Sequence, residues 1–191
     1  MRFYKNLNNQ IFTFNDCRIV PIRDCDKFDI MNWRNEQIYH LRQSKPLIKN
    51  DQIKYFENTI SSLFTKYNPE QILFSFLQND KCIGYGGLVH INWIEKKAEI
   101  SFIMDTQLEK LYFEKYWSIF LRLIEEVAFK DLNFKNIFVY AFDLRKHLYD
   151  VLSKNGFIFK SRINKAYKFK NLLYDVVIYN KVNKYENSPS S

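Results

Sequence analysis

ILFSFLQNDKCIGYGGLVHINWIEKKAEISFIMD, residues 72–105, is the stretch that decides the fold. Three runs rich in β-branched and aromatic residues are separated here by Asn79-Asp80 and by the charged residues 95–97. Short polar segments between such runs are typical of tight hairpin connections. The stretch therefore predicts an antiparallel meander.

The middle run of this meander concentrates the glycines of the chain. Gly84, Gly86 and Gly87 lie within it, although the chain has only four glycines in all. A glycine inside a strand usually marks a bulge or a place where another backbone or another molecule comes close. We therefore expect a close approach along this strand.

Before the meander, the sequence predicts a strand pair and two helices. The strands cover residues 10–14 and 17–22, with a turn at Asn15-Asp16. Pro21 suggests that the second of them lies near an edge of the sheet or ends there. Asp24 or Asp26 is expected to cap a helix that runs to about Asn35, and Asp51 is expected to cap the next one.

After the meander, a long helix is predicted from Thr106 to Leu132. Thr106 with Glu109 three residues later is a capping-box signature. Three further elements follow: a buried strand over 137–142, a helix over 145–154 that ends at Asn155-Gly156, and a strand pair with its turn at Lys170-Asn171.

Length and composition predict one globular domain over residues 1–185 and a disordered tail at 186–191. No run approaches the roughly 18 apolar residues of a membrane span, and no signal-peptide pattern opens the chain. The three cysteines follow neither zinc nor disulfide spacing. We therefore expect a reduced, cytoplasmic protein without a membrane span.

The formal net charge of +8 favours anionic partners. Nucleotide-bearing cofactors, nucleic acids and membrane surfaces are all anionic. The basic residues are scattered along the chain and form no stripe on one element. A nucleic-acid partner is therefore unlikely, and an RNA-binding function ranks last among the hypotheses.

The order of elements resembles that of the GNAT family of N-acetyltransferases. Residues 98–103 look like the fourth strand of the family, residues 126–133 like the end of its cofactor-side helix, and 154–157 like its K-x-G-F ending. The resemblance implies an α+β fold, layered as α/β, with a mixed, mostly antiparallel sheet of about seven strands. It also implies about four flanking helices.

The resemblance further implies an acyl-CoA-dependent N-acyltransferase that uses acetyl-CoA and no metal, with direct attack by a small-molecule amine. Residues 30–35 resemble a subgroup that acetylates amino sugars on nucleotide carriers for surface polysaccharides, and ribosomal-protein and antibiotic acetyltransferases carry a similar tryptophan segment. Trp33, Arg34, Arg42 and Asn92 are therefore the candidate substrate-binding residues. Core packing for Trp33 and surface charge for the arginines are the alternatives. A homodimer is possible.

Three residues are candidates for the catalytic groups. Glu99, at the start of the presumed fourth strand, and His90, which should share a strand face with Asn92, are candidate bases. An ion pair with Lys96 or Lys97 for Glu99, and a hydrogen-bonded role in the sheet for His90, are the alternatives. Tyr149 is the candidate acid.

The candidate cofactor-binding groups are of two kinds, backbone groups and basic side chains. Backbone groups of the fourth strand at Phe102, Ile103 and Met104 would hold the pantetheine arm and the thioester, as the resemblance implies. Three basic side chains are candidates as well: Lys110, Lys115 and His147.

The chain departs from the family in two places. The pyrophosphate loop of the family falls on residues 112–117, which contain no glycine, and Glu109 and Glu114 have the wrong sign for a phosphate. Leu152 stands where the family has the tyrosine that acts as general acid, and Arg145 replaces an asparagine often seen at the start of that helix. These departures favour an alternative hypothesis, a binding or regulatory module that has lost acetyl-CoA binding.

Overall fold

The computed structural model describes residues 2–184 of the chain. It contains one mixed sheet of eight strands in the order β1-β2-β3-β4-β5-β6-β8-β7. The strands are β1 Phe12–Phe14, β2 Cys17–Pro21, β3 Ile72–Gln78, β4 Lys81–Asn92, β5 Lys97–Met104, β6 Asn136–Phe142, β7 Ile158–Phe169 and β8 Leu172–Val182.

The helices lie between these strands. They are α1 Lys27–Glu36, α2 Lys49–Lys54, α3 Ser61–Leu63, α4 Thr106–Glu125 and α5 His147–Lys154. π-helical turns over Tyr55–Ile60 and Glu126–Asp131 join α2 to α3 and extend α4, and short 3-10 turns cover Asp24–Asp26 and Ile38–His40. The predicted tail at 186–191 lies outside the described residues.

Strands β5 and β6 form the parallel pair of the sheet, and the other neighbouring strands are antiparallel. Helix α4 connects β5 to β6, and a crossover helix of this kind allows two consecutive strands to run parallel. The prediction of a mixed, mostly antiparallel sheet is confirmed, with eight strands where about seven were expected.

The predicted turns are confirmed by left-handed backbone conformations. The φ angles are 54° at Asn15, 45° at Asn79 and 68° at Asp80, and 46° and 65° at Lys170 and Asn171. Asn and Asp tolerate positive φ because their short side chains bond to the local backbone, and this conformation suits two-residue hairpins.

The glycines of β4 lie where the neighbouring strands come too close for a side chain. A Cβ on Gly86 would lie 2.1 Å from the backbone oxygen of Ser101 on β5. A Cβ on Gly87 would lie 1.9 Å from the backbone oxygen of Ile72 on β3. The close approach that the sequence predicted is therefore made by adjacent strands of this sheet.

Helix α4 covers one face of the sheet through stacked aromatic rings. Phe102 of β5 lies parallel to Phe120 of α4, with ring centroids 4.0 Å apart. Phe76 of β3 meets both rings edge-on. These side chains are at most 4% exposed, and aromatic pairs in these geometries stabilise a core beyond their burial alone.

The predicted helix caps are wrong at three positions. Neither Asp26 nor Asp51 caps a helix with its side chain, and α4 is capped by Asp105 and not by Thr106. The Asp105 carboxylate accepts from the backbone N–H groups of Gln107 at 2.9 Å and Leu108 at 3.1 Å. It therefore satisfies two of the amides that have no partner inside the helix.

We expect Asp105→Ala to lower the free energy of unfolding by about 1 kcal/mol, because two amides of the first turn lose their acceptor. Equilibrium denaturation in urea measures the change. Asp105→Asn is the matched control and should keep most of the stability, since asparagine caps about as well as aspartate. An alanine variant as stable as the wild type would contradict this role.

Within residues 2–184, no helix is both long enough and apolar enough to cross a bilayer.

Candidate functional site

The sheet opens between its two parallel strands. Strands β5 and β6 pair at their first three residues, from Lys97 with Asn136 to Glu99 with Phe138, and then separate. Beyond that point residues 100–103 and 139–142 face a common cavity of about 420 Å³. The facing edges carry backbone groups without a partner strand, so an extended ligand can pair with them.

Helices and loops on both sides complete the cavity wall. Apart from Phe102 and Phe142, its polar and aromatic members come from residues 34–71, from β4, β5 and β6, from α4 and from the segment before α5. They are Arg34, His40, Arg42, Tyr55, Gln71, Tyr85, His90, Glu99, Ser101, Trp117, Tyr140 and Arg145.

Glu99 lies where the two strands separate. It is 8% exposed, and both of its carboxylate oxygens lie close to Nη2 of Arg42, at 3.0 and 3.1 Å. Burial raises the pKa of the Glu99 carboxyl above its ordinary range, and Arg42 and then His90 oppose that rise. A buried carboxylate with a raised pKa is suited to accept a proton from an amine.

Arg42 connects three side chains of the cavity. In addition to Glu99, its Nη1 donates to Nε2 of His90 at 3.0 Å, and its Cζ lies 4.1 Å from the centre of the Tyr140 ring. The arginine side chain is 43% exposed, whereas that of Glu99 is 10% exposed. The cation is therefore the accessible partner of the pair.

Arg34 reaches the same cavity from α1. Its Nη1 donates to the Tyr85 hydroxyl at 2.6 Å, and its Nε donates to Oε1 of Gln43 at 3.0 Å. No carboxylate pairs with it within residues 2–184. The guanidinium is thus available to an anionic group of a ligand.

Arg145 is a cavity residue that the sequence had marked only as a departure from the family. It lies two residues before α5, and its Nη1 donates to Oε1 of Glu109 at 3.0 Å. The side chains of this ion pair are 11% and 12% exposed. Glu109, expected to repel a phosphate, is thus neutralised by Arg145. The ability of an arginine side chain to bind anionic groups was the signal that could have identified Arg145 as a site residue.

His40 also lines the cavity, and sequence reasoning did not identify it. Burial, then Arg145 and other nearby cations, lowers the pKa of its imidazole to about 2. His40 is therefore neutral in the folded protein, and its Nε2 lies 3.3 Å from Oε1 of Gln37.

Of the remaining substrate and catalytic candidates, His90 lines the cavity, whereas Trp33, Asn92 and Tyr149 do not. Trp33 packs in the hydrophobic core. His90 has φ +49° in an irregular part of β4, so it does not share a strand face with Asn92, whose Oδ1 accepts from the backbone of Glu95. The Tyr149 hydroxyl donates to Asp143 at 2.7 Å.

The cofactor candidates are divided between the cavity and the surface. Phe102 and Ile103 line the cavity, while Met104 is buried and its backbone oxygen accepts from Gln37 at 2.8 Å. Lys110 and Lys115 are exposed on α4. His147 packs edge-on against Phe113, and its pKa is lowered by burial and by Arg145.

The region of the expected phosphate loop is helical. Helix α4 begins at Thr106, directly after β5, and residues 112–117 belong to it. Helical geometry is interrupted at Tyr112, with φ −136° and ψ 29°, so the segment after it is a separate helical piece. The open edges of β5 and β6 fit a linear pantetheine arm, whose amide groups can pair with them. Lys110 and Lys115, which are exposed on either side of Tyr112, fit the phosphates of such a cofactor.

Within the described residues, no group of three His, Cys, Asp or Glu side chains is placed to hold a metal ion.

Comparison with known proteins identifies similar folds. A model of the family described as "Acetyltransferase (GNAT) domain" matches residues 19–178. No curated protein matches the sequence. A chimera of spermidine N-acetyltransferase SpeG from Vibrio cholerae and hSSAT is 16% identical, with a TM-score of 0.77 over 91% of this chain and 100% of that chain.

Two further solved structures are similar to the same degree. Spermidine N-acetyltransferase from Vibrio cholerae in complex with CoA and spermine is 16% identical, with a TM-score of 0.77 over 90% of this chain and 99% of that chain. A dodecameric structure of the enzyme from the same organism is 15% identical, with a TM-score of 0.74 over 92% and 99%. At these identities the likeness concerns the fold.

Proposed function

This chain belongs to the acetyltransferase (GNAT) family, and from that premise we propose that its acceptor is an amino sugar carried on a nucleotide. The protein is an N-acetyltransferase with acetyl-CoA as its cosubstrate, and the acceptor is a small-molecule amine. The finer identity of that amine is the proposal.

The charge of the cavity wall carries the proposal. Three guanidinium groups line it, those of Arg34, Arg42 and Arg145, whereas Glu99 is the one acid among the described lining residues. Glu109 neutralises Arg145, whereas Arg34 has no carboxylate partner among the described residues, and Arg42 is the exposed partner of Glu99. Arginine holds diphosphate groups bidentately, so this wall suits an anionic acceptor.

The same charges disfavour a polyamine. The solved relatives are described as spermidine N-acetyltransferases, and spermidine and spermine carry several positive charges near neutral pH. Such a ligand needs several carboxylates, because like charges in a partly buried site repel strongly. The cavity offers Glu99 alone, and Arg42 is already paired with it.

In the proposed reaction, Glu99 removes a proton from the ammonium form of the acceptor and so frees the nitrogen lone pair. Acetyl-CoA supplies an acyl group activated as a thioester. The backbone N–H groups on the open edge of β5, at residues 100–103, would orient the arm and polarise the carbonyl. Lys110 and Lys115 would bind the phosphates.

An acceptor comparison tests the proposal. We expect kcat/KM for a UDP-linked amino sugar to exceed that for spermidine by about 10-fold or more, which is the discrimination that one charge-assisted hydrogen bond supplies. Release of free CoA thiol in the presence of each acceptor measures the rate. A higher kcat/KM for spermidine would refute the anionic acceptor and leave the transferase intact.

The alternative hypothesis from the sequence, a binding module that has lost acetyl-CoA binding, is open to a direct test. It is favoured by the helical, glycine-free segment at 112–117 and by the first turn of α4, where the amides of Gln107 and Leu108 are already satisfied by Asp105. Calorimetric titration with acetyl-CoA, with free CoA as a control, separates the two. Saturable micromolar binding supports the enzyme, and no heat at sub-millimolar ligand supports the module.

A further inference from the structure

We infer that Arg42 determines acceptor specificity because it is the counter-ion of Glu99. An acceptor reaches Glu99 only by exchanging ion-pair partners with Arg42. The inference rests on the proposed function, since the exchange requires an acceptor that carries both an anion and an ammonium group.

The asymmetry of the pair supports an exchange. Glu99 is fixed on β5 and nearly buried, whereas Arg42 belongs to an irregular segment, residues 41–48, and its side chain is 43% exposed. The residues on either side of Arg42 are held, because the Leu41 backbone oxygen accepts from the Tyr167 hydroxyl at 3.0 Å and the Gln43 side-chain amide donates to Oδ1 of Asn35 at 3.0 Å. Side-chain rotation can therefore release Glu99 without moving the loop.

The contacts of Arg42 explain why the release needs an anion. Its guanidinium binds Glu99 and His90 and stacks on Tyr140. A free acceptor ammonium would have to displace this cation and leave it without a counter-ion beside a second positive charge. An acceptor phosphate offers Arg42 a bidentate partner of equal or greater strength.

The exchange keeps every charge in the site paired. The acceptor anion takes Arg42, and its ammonium takes the place of Arg42 at Glu99. One proton then passes from the nitrogen to the carboxylate, and the nitrogen keeps the electron pair of the broken N–H bond. A buried carboxylate is never left unpaired during these steps, which would otherwise be costly.

A polyamine cannot complete this exchange of ion-pair partners. It supplies the ammonium for Glu99 but no anion for Arg42, so the guanidinium continues to compete for the carboxylate. Arg42 therefore acts both as an attractive contact for anionic acceptors and as a barrier to cationic ones, which is how specificity commonly arises.

Variants at Arg42 test the inference by the ratio of two acceptors. We expect Arg42→Gln to lower kcat/KM for a UDP-linked amino sugar by about 10- to 100-fold, without lowering kcat/KM for spermidine. Arg42→Lys should have a kcat/KM for the UDP-linked amino sugar between those of the wild type and Arg42→Gln, because an ammonium is a point charge without the bidentate fork. Arg122→Gln, which removes a cation stacked on Phe14, is the matched control.

A binding experiment without acetyl-CoA provides the second readout. The charged and titratable groups that face Glu99 are Arg42 from the 41–48 segment and His90 from β4, and Tyr140 of β6 contacts Arg42. We expect UDP to draw Arg42 away, so that Glu99 binds a proton more tightly. Calorimetry between about pH 5 and 7, in two buffers of different ionisation enthalpy, should show more proton uptake on UDP binding by the wild type than by Glu99→Gln, since the terminal phosphate of UDP also titrates in this range and contributes to both.

The outcomes separate this inference from the proposed function. Excess uptake that disappears in Glu99→Gln and in Arg42→Gln supports the exchange. UDP binding with equal uptake by the wild type and Glu99→Gln, or equal losses for both acceptors in Arg42→Gln, would overturn it and leave the acceptor class standing. Absence of UDP binding to the wild type would overturn both.

Discussion

We expect Glu99→Gln to lower kcat by about 100-fold or more, the range attributed to a positioned general base. Glutamine has nearly the same shape and keeps a hydrogen-bond acceptor for Arg42, so the loss would come from proton transfer. Steady-state kinetics with saturating acetyl-CoA measure kcat, and far-UV circular dichroism establishes that the variant is folded.

The pH dependence of kcat/KM provides a second test of Glu99 as the base. The base acts unprotonated, so kcat/KM should fall as the pH drops through the pKa of Glu99. Burial raises that pKa, so the acid limb should lie above the ordinary range of a glutamate, and it should disappear in Glu99→Gln.

Stability should follow the same linkage. Because the pKa of Glu99 is raised in the folded state, its protonation contributes to the free energy of unfolding. This contribution is fully present below the ordinary pKa of a glutamate and is lost as pH rises through the raised value. The wild type should therefore lose stability there relative to Glu99→Gln.

Glu70→Gln is the matched control for this variant. Glu70 is an exposed carboxylate paired with Lys66 and does not line the cavity. Its replacement should leave kcat and the acid limb unchanged. A Glu99→Gln enzyme with wild-type kcat would show that another group, or water, takes the proton, and it would remove the argument for Glu99 as the base.

The sequence predicted the features that depend on short-range chemistry. Turn residues such as Asn79, Asp80 and Asn171 tolerate positive φ because of their own side chains, and alternating apolar runs form strands wherever they can bury one face. Glu99 and Arg42 were found through their positions near recognisable segments. Their direct contact joins residues 57 positions apart, and no local pattern encodes it.

Long-range partners also explain the wrong caps. Asp26 was expected to cap α1, but its carboxylate accepts two hydrogen bonds from Arg23 and one from the Ser75 hydroxyl on β3. A charged bidentate pair outweighs a cap worth about 1 kcal/mol. In the same way, Arg145 is placed in the cavity by Glu109 of α4, a partner that the sequence pattern does not reveal.

We expect Gly87→Ala to lower the free energy of unfolding by about 3 kcal/mol or more, the upper range for overpacking. The new Cβ would lie 1.9 Å from the Ile72 backbone oxygen, and φ at this residue is +156°. A strand backbone cannot rotate away as a side chain does, so β3 and β4 must separate. Denaturation in guanidinium chloride measures the change.

A graded series shows whether backbone contact is the cause. A Cβ on Gly84 would lie 2.8 Å from the Ile103 oxygen, whereas at Gly156 the nearest atom is Cε of Lys181, at 3.5 Å, and φ is +78°. Gly84→Ala should therefore cost less than Gly87→Ala, and Gly156→Ala only the roughly 1–2 kcal/mol of a left-handed residue. If Gly156→Ala proved the most destabilising, backbone conformation would outweigh strand proximity. The order Gly87, Gly84, Gly156 would instead establish that β4 carries glycine so that its neighbours can pair closely beside the cavity.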